Sequence, residues 1–331
     1  MPSKSPKKKP VLLTPENIQG TGLEFLKEES LVRIEILGEE TPNGSLLILE
    51  SDFEDITHAA AQWIAATLLG GDFLADYHKV VPDAGGEITV QDMDGLLARV
   101  DYQPLSRHVV LLPCYAGTRP GVMDRLLMLL EDTKVPLLVV LCTRDSGTLP
   151  DTVVGRSSAT VALEVLPPDL RQEHLSKLGF SSLASRESVE IAGNQPHLAA
   201  IFAKSTQLRA FAKSALMGQD PARLSIVGLL KNYANLCALA KAVANFADYD
   251  PKSFLKEVRY DSLSASEQEC ARKLLQLWSY HQRSHIHARI KRLDPGTAVD
   301  DCREMLEKLD SFERTLRVPT PPILAFGVYG A

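Results

Sequence analysis

From about Val11 to Leu166 the chain alternates between two hydrophobic periods. Continuous apolar runs read as buried strands: Ser45-Leu46-Leu47-Ile48-Leu49, "RHVVLLPCYA", "VPLLVVLCT" and "SATVALEVL", with "DYHKVVP" as a shorter one. Between them lie stretches at helical spacing: "LEFLKEE", His58 to Leu69, "ITVQDMDGLLARV" as a turn and helix, and a helix whose Met123, Leu126, Leu127 and Leu130 form one apolar stripe. A strand that is apolar on both faces needs cover on both, and crossover helices supply it. The pattern therefore predicts an α/β domain built on a parallel sheet.

After Pro167 and Pro168 the strand signals stop. Asp169 to Leu178 reads as a helix with an acidic start, and two or three short helices surround "AGNQPHLAAIF" as far as about Leu208. Asp220-Pro221 has the form of an N-cap followed by proline at the first helical position, and Leu229, Tyr233 and Leu236 then line one face. Ser266 and Glu269 have capping-box spacing for a long helix carrying Leu274, Leu275, Leu277 and Trp278. Asp294-Pro295-Gly296 breaks that helix, and Val299 to Leu316 forms a last one. The expected plan is a tail over 1–10, an α/β core over 11–166, a small helical domain over 167–212 and a larger helical domain over 213–331.

A chain of 331 residues accommodates two or three compact units, and 45% hydrophobic with 24% charged residues is ordinary for a soluble globular protein. The net charge of −6 does not advertise nucleic-acid binding. Basic residues cluster locally, as Lys4, Lys7, Lys8 and Lys9 in "MPSKSPKKKP", which lacks the apolar region of a secretory signal and reads as a disordered tail. No apolar run is long enough to predict a membrane span. The five cysteines, Cys114, Cys142, Cys237, Cys270 and Cys302, make neither CxxC pairs nor a disulfide framework, which fits buried thiols in a reducing cytoplasm.

Two candidate metal signals are weak. "ESDFED" offers closely spaced oxygens but lacks the glycine and terminal glutamate of an EF-hand loop, so it reads as a solvated loop. His281 and His285 are one helical turn apart, yet no acidic ligand lies between them, and Arg283, His287, Arg289, Lys291 and Arg292 make the segment a basic helix face. No metal and no cofactor is expected.

"LESDFEDITHAAAQW", Leu49 to Trp63, occupies the strand, loop, helix context of a phosphate loop but contains neither glycine nor lysine. Further on, "VVLLPCYAGTRPGVMDRLLMLLEDTKVPLLVVLCTRDSGTLPDTVVGRSS" and "GNQPHLAA" follow it at regular intervals. In this order the segments resemble the AAA+ clamp-loader subunits of bacterial DNA polymerase III, most closely the delta-prime type. "TLRVPTPPILAFGVYGA" is similar to a shortened form of that family's last collar helix, with Gly327 and Gly330 where a helix is expected after Pro322. The resemblance implies an AAA+ α/β core, a helical lid over 167–212 and an all-α collar over 213–331.

The resemblance also assigns positions. Glu50 and Asp55 stand at the Walker A glycines, Ile56 at the lysine and Thr57 at the surviving Ser/Thr. Backbone N–H groups and a lysine are what hold the β and γ phosphates, and Glu50, Asp52, Glu54 and Asp55 put carboxylates there instead. Two like charges about 4 Å apart repel by roughly 1 kcal/mol in water and more near a protein surface. Pro113 and Cys114 replace the Walker B acids, and Leu198 stands at the sensor 2 arginine, shortly after the retained Gly193 and Pro196. Three losses argue against ATP binding and hydrolysis.

One element is intact: Gly155-Arg156-Ser157 matches the family's Ser-Arg-Cys triplet, whose arginine reaches the ATP of the next subunit. Arg99, Arg119 and Arg125 fall on helices that approach DNA in clamp loaders. "ATLLGGDFLADYHKV" passes without the four-cysteine zinc module that the family often carries. The implied protein is a non-hydrolysing, cytoplasmic clamp-loader subunit. Its implied partners are gamma/tau-like and delta-like subunits, with a sliding clamp and primed DNA reached through the complex. An AAA+ adaptor outside clamp loading is the alternative, and it would not need Arg156.

Overall fold

Five strands, β1 (Ser45–Glu50), β2 (Tyr77–Lys79), β3 (His108–Pro113), β4 (Leu137–Thr143) and β5 (Ser157–Ala162), form one sheet in the order β2-β3-β4-β1-β5. All four pairings are parallel. The computed structural model describes residues 22–40, 45–70, 76–81, 87–115, 118–119, 121–132, 134–218, 226–244, 263–291 and 299–316. The expected tail over 1–10, Asp220-Pro221, Asp294-Pro295-Gly296, and the ending after Pro322 lie outside the described residues. The chain divides into two compact units, Met1–Leu166 and Pro167–Ala331.

In the first unit, α1 (Glu28–Glu40), α2 (Glu54–Leu69), α3 (Val90–Val100), α4 (Val122–Asp132) and the one-turn α5 (Asp151–Val154) accompany the sheet. Alternate residues of a strand point to opposite faces, so each strand feeds two cores. Leu47, Leu49, Val109, Leu111, Leu138 and Val140 meet Ile56, Ala60 and Ile64 of α2 on one face. On the other, Leu46, Ile48, Val110, Val139 and Leu141 meet Met93 and Leu96 of α3 and Leu126 and Leu129 of α4.

Several local expectations shift. β5 is an edge strand with alternating exposure, so "SATVALEVL" is not a continuously buried strand. In α4 the fully buried line is Val122, Leu126 and Leu129, with Met123, Leu127 and Leu130 half-buried beside it. "LEFLKEE" is split: Leu23–Phe25 make a 3-10 turn, Leu26 bridges Val165, and the helix begins at Glu28.

The second unit is helical: α6 (Pro168–Lys177), α7 (Ser182–Ala192), α8 (Pro196–Lys204), α9 (Thr206–Met217), α10 (Ile226–Ala244), α11 (Ala265–Ile290) and α12 (Val299–Leu316). α9 runs unbroken through 212–213. The capping box of α11 is Ser264 with Glu267, not Ser266 with Glu269. "SASEQE" holds two overlapping boxes, and the helix uses the first. Fully buried Trp278 packs edge-on against Phe312 at 5.3 Å, joining α11 to α12.

Gly193 ends α7 at φ 51°, and a Cβ there would sit 2.7 Å from Tyr280 Cε1. Gly193→Ala is expected to cost about 1–3 kcal/mol, from backbone strain together with displacement of that ring. Urea unfolding of the variant tests this, and an unchanged midpoint would refute it.

Three histidines, His78, His174 and His281, are held below their ordinary titration range, in each case chiefly by burial. His281 Nε2–H donates to the Ile191 carbonyl at 2.8 Å, which fixes the neutral tautomer. The unfolded chain protonates these rings first as pH falls below about 6.5. Stability present above that pH is therefore lost on descent through the lowered folded values. Thermal unfolding at pH 5.5 should show a lower midpoint than at pH 7.5, with a smaller difference in His78→Gln. Equal midpoints would contradict this.

Candidate functional site

β1 hands the chain to a loop of Ser51, Asp52 and Phe53, and α2 begins at once with Glu54. The sequence pattern placed that start at His58. Glu54 and Asp55 occupy the first turn, where carboxylates are stabilised by the positive end of the helix. They wind the chain into helix where a phosphate loop stays open.

Several backbone donors of this loop and first turn are engaged within the chain. Ile56 and Thr57 N–H both donate to the Phe53 carbonyl, at 3.1 and 3.3 Å, and Ser51 N–H donates to Thr143 O at 3.1 Å. Phe53 N–H reaches Ser51 Oγ at 3.3 Å. The Glu50 carboxylate accepts from Ser146 N–H at 3.1 Å, which ties the end of β1 to the turn after β4. Ile56, which the resemblance sets at the lysine position, is a fully buried residue of α2 in the core against the sheet.

Thr57, which the resemblance sets at the Ser/Thr position, is also fully buried. Its Oγ1 lies 2.8 Å from the Tyr115 hydroxyl and 2.9 Å from the Glu54 carbonyl. Tyr115 in turn donates to the Ser51 carbonyl at 3.0 Å. Burial pushes the Tyr115 phenol well above its ordinary range, so it stays a neutral donor. Tyr115 thus spans the loop from β1 to α2 and engages the hydroxyl that a Mg²⁺ ion would need.

Sequence reasoning passed over Tyr115. Its signal was its place directly after Pro113-Cys114, at the end of the strand that would carry the Walker B acids. Tyr115→Phe is expected to lower stability by about 1–2 kcal/mol, because the Ser51 carbonyl and Thr57 hydroxyl lose a partner. Chemical denaturation measures it, and a variant as stable as the parent would remove Tyr115 from this role.

The metal side of the site is equally apolar. Pro113 closes β3 as a buried residue, and burial pushes the Cys114 thiol up to about 12. Cys142 is raised for the same reason, and its thiol donates to the Thr57 carbonyl at 3.7 Å. Among the described residues, no group of three or more His, Cys, Asp or Glu could hold a metal ion. Leu198, which the resemblance sets at the sensor 2 position, is buried in the second unit. His281 is turned to the Ile191 carbonyl while His285 is exposed, so the two do not form a ligand pair.

The arginines divide. Arg125 Nε is 3.3 Å from Asp94 Oδ1, joining α4 to α3. Arg119 Nε is 3.3 Å from Glu87 Oε2 and lies in irregular chain before α4 rather than on a helix. Arg99 is exposed in the last turn of α3.

Arg156 follows α5 and immediately precedes β5, with its N–H on Val153 O at 3.2 Å. Its guanidinium is about half exposed and pairs with Glu131 at the end of α4. Leu46 is level with Ser157 and Glu50 with Ala162. Arg156 therefore sits beside the start of β1, whereas the loop of Ser51, Asp52 and Phe53 leaves its end, roughly 16 Å along the strand direction.

No protein-family model matches the sequence, and the comparison with curated proteins found no match. Among solved structures, the chain is similar to a DNA polymerase III gamma subunit-related protein from Thermotoga maritima, at 14% identity with a TM-score of 0.53. That likeness covers 92% of this chain and 99% of the other. A RuvB mutant from the same organism has 15% identity and a TM-score of 0.44, over 71% of this chain and 86% of that one. The parallel five-stranded sheet, its flanking helices and the helical second unit thus have the fold of an α/β AAA+ core followed by helical domains.

Proposed function

We propose that this chain is a non-hydrolysing, delta-prime-like subunit of a DNA polymerase III clamp loader in the cytoplasm. Its first unit acts as an inert AAA+ module that presents Arg156 to the ATP of a neighbouring subunit. The observation that carries this reading is the opposition of two sites on one sheet. The nucleotide loop is shut by the chain's own groups, while an exposed arginine stands at the other end of the strands. Likeness to a gamma subunit-related protein over nearly the whole chain supports the clamp-loader setting.

In this reading residues 167–212 serve as the lid and 213–331 as the collar that joins gamma/tau-like and delta-like subunits. A member that does not cycle with ATP gives the ring a fixed reference for opening the sliding clamp. Reconstitution tests it: the cognate ATPase and delta-like subunits, clamp and primed DNA are mixed with or without this chain. Assembly followed by mass photometry and clamp loading should both require it. Full assembly and loading in its absence would overturn the proposal.

A further inference from the structure

Arg156 is not idle: its Nη2 contacts Oε1 of Glu131, and both side chains are about half exposed. Resting on the reading of Arg156 as a trans-acting finger, we infer that Glu131 is the latch that holds this arginine and competes with the incoming phosphate. Three features carry the inference. The partners come from different elements, the end of α4 and the approach to β5, so the pair fixes where a long side chain points. An ion pair between half-exposed groups is weak enough to be surrendered. A polyphosphate offers the guanidinium a bidentate, more highly charged partner than one carboxylate does.

Glu131 then acts in one direction. In the resting chain it holds the guanidinium beside the end of α4. When a neighbour's ATP approaches, the carboxylate must release the arginine, and it repels the phosphates while it stays near. Removing the charge should favour capture of nucleotide without changing the finger itself. Glu131 works through Arg156 and is a positioning residue, not a catalytic one.

The test compares Glu131→Gln, Glu131→Asp, Arg156→Ala and the double variant Glu131→Gln/Arg156→Ala in the assembled complex, by steady-state ATPase kinetics with Mg-ATP. Glu131→Gln should lower KM about threefold or more with kcat near wild type, and Glu131→Asp should behave like wild type. The double variant should match Arg156→Ala alone. If Arg156→Ala slows turnover but Glu131→Gln leaves KM unchanged or raises it, the latch is wrong and the finger stands. If the Glu131→Gln effect persists in the Arg156→Ala background, Glu131 does not act through the arginine and the latch is again wrong. If Arg156→Ala itself has no effect, the finger reading falls and the latch with it.

Discussion

Arg156→Ala is expected to lower ATP turnover by the neighbouring subunit tenfold or more in complexes that still assemble. A guanidinium supplied in trans stabilises charge that develops on the transferring phosphate, and fingers of this kind contribute on the order of 10³ to 10⁵ in rate in other NTPases. Tenfold is a floor here, because Glu131 shares the guanidinium. The substitution should leave folding intact, since the side chain is half exposed and its one ion pair is a weak surface contact. Turnover in single-turnover and steady-state assays is the readout. Unchanged rates in fully assembled complexes would reduce the protein to a scaffold, as in an adaptor that keeps the fold without needing Arg156.

Ile56→Lys is expected to destabilise the first unit by about 3–5 kcal/mol instead of restoring a nucleotide site. Ile56 is fully buried beside Leu49, Ala60 and Cys142. A lysine there must either lose its charge or break the packing of α2 against the sheet to reach water. In a working phosphate loop the lysine points into an open cradle. Here that segment is helix, with the Ile56 and Thr57 N–H groups bonded to the Phe53 carbonyl. Urea unfolding gives the magnitude. A variant as stable as the parent that also binds Mg-ATP would mean the loop opens far more readily than its hydrogen bonds allow.

The strands buried on both faces were legible because β3 and β4 carry an apolar residue at nearly every position, and little else produces such a run. β5 was misjudged because edge position is a property of the sheet, not of the strand's own residues. α1 blurred because Val32 and Ile36 are exposed on its outer side, 46% and 51%, which erases the contrast between its faces. The early start of α2 follows from two carboxylates at a helix N-terminus, a signal present in the sequence but overshadowed by the expected phosphate loop.

The residue types at Glu50, Ile56, Pro113, Cys114 and Leu198 are legible position by position against the resemblance. What fills the space is not. Tyr115 joins the Ser51 carbonyl to the Thr57 hydroxyl, and Glu50 reaches Ser146, through contacts between residues far apart in sequence. The pairing of Arg156 with Glu131 is of the same kind. Such contacts have no local period or spacing, so they emerge only when the parallel order β2-β3-β4-β1-β5 brings the strand ends together.

A calorimetric titration of the isolated protein with Mg-ATP asks directly whether the site is closed. The expected trace is flat, with no saturable heat at ligand concentrations up to about 1 mM. Tyr115, Phe53 and Glu54 already engage the groups that a triphosphate and its metal would use. One-site binding with a Kd in the micromolar range, abolished by changes at Thr57 or Glu50, would contradict it and show that the loop opens to nucleotide.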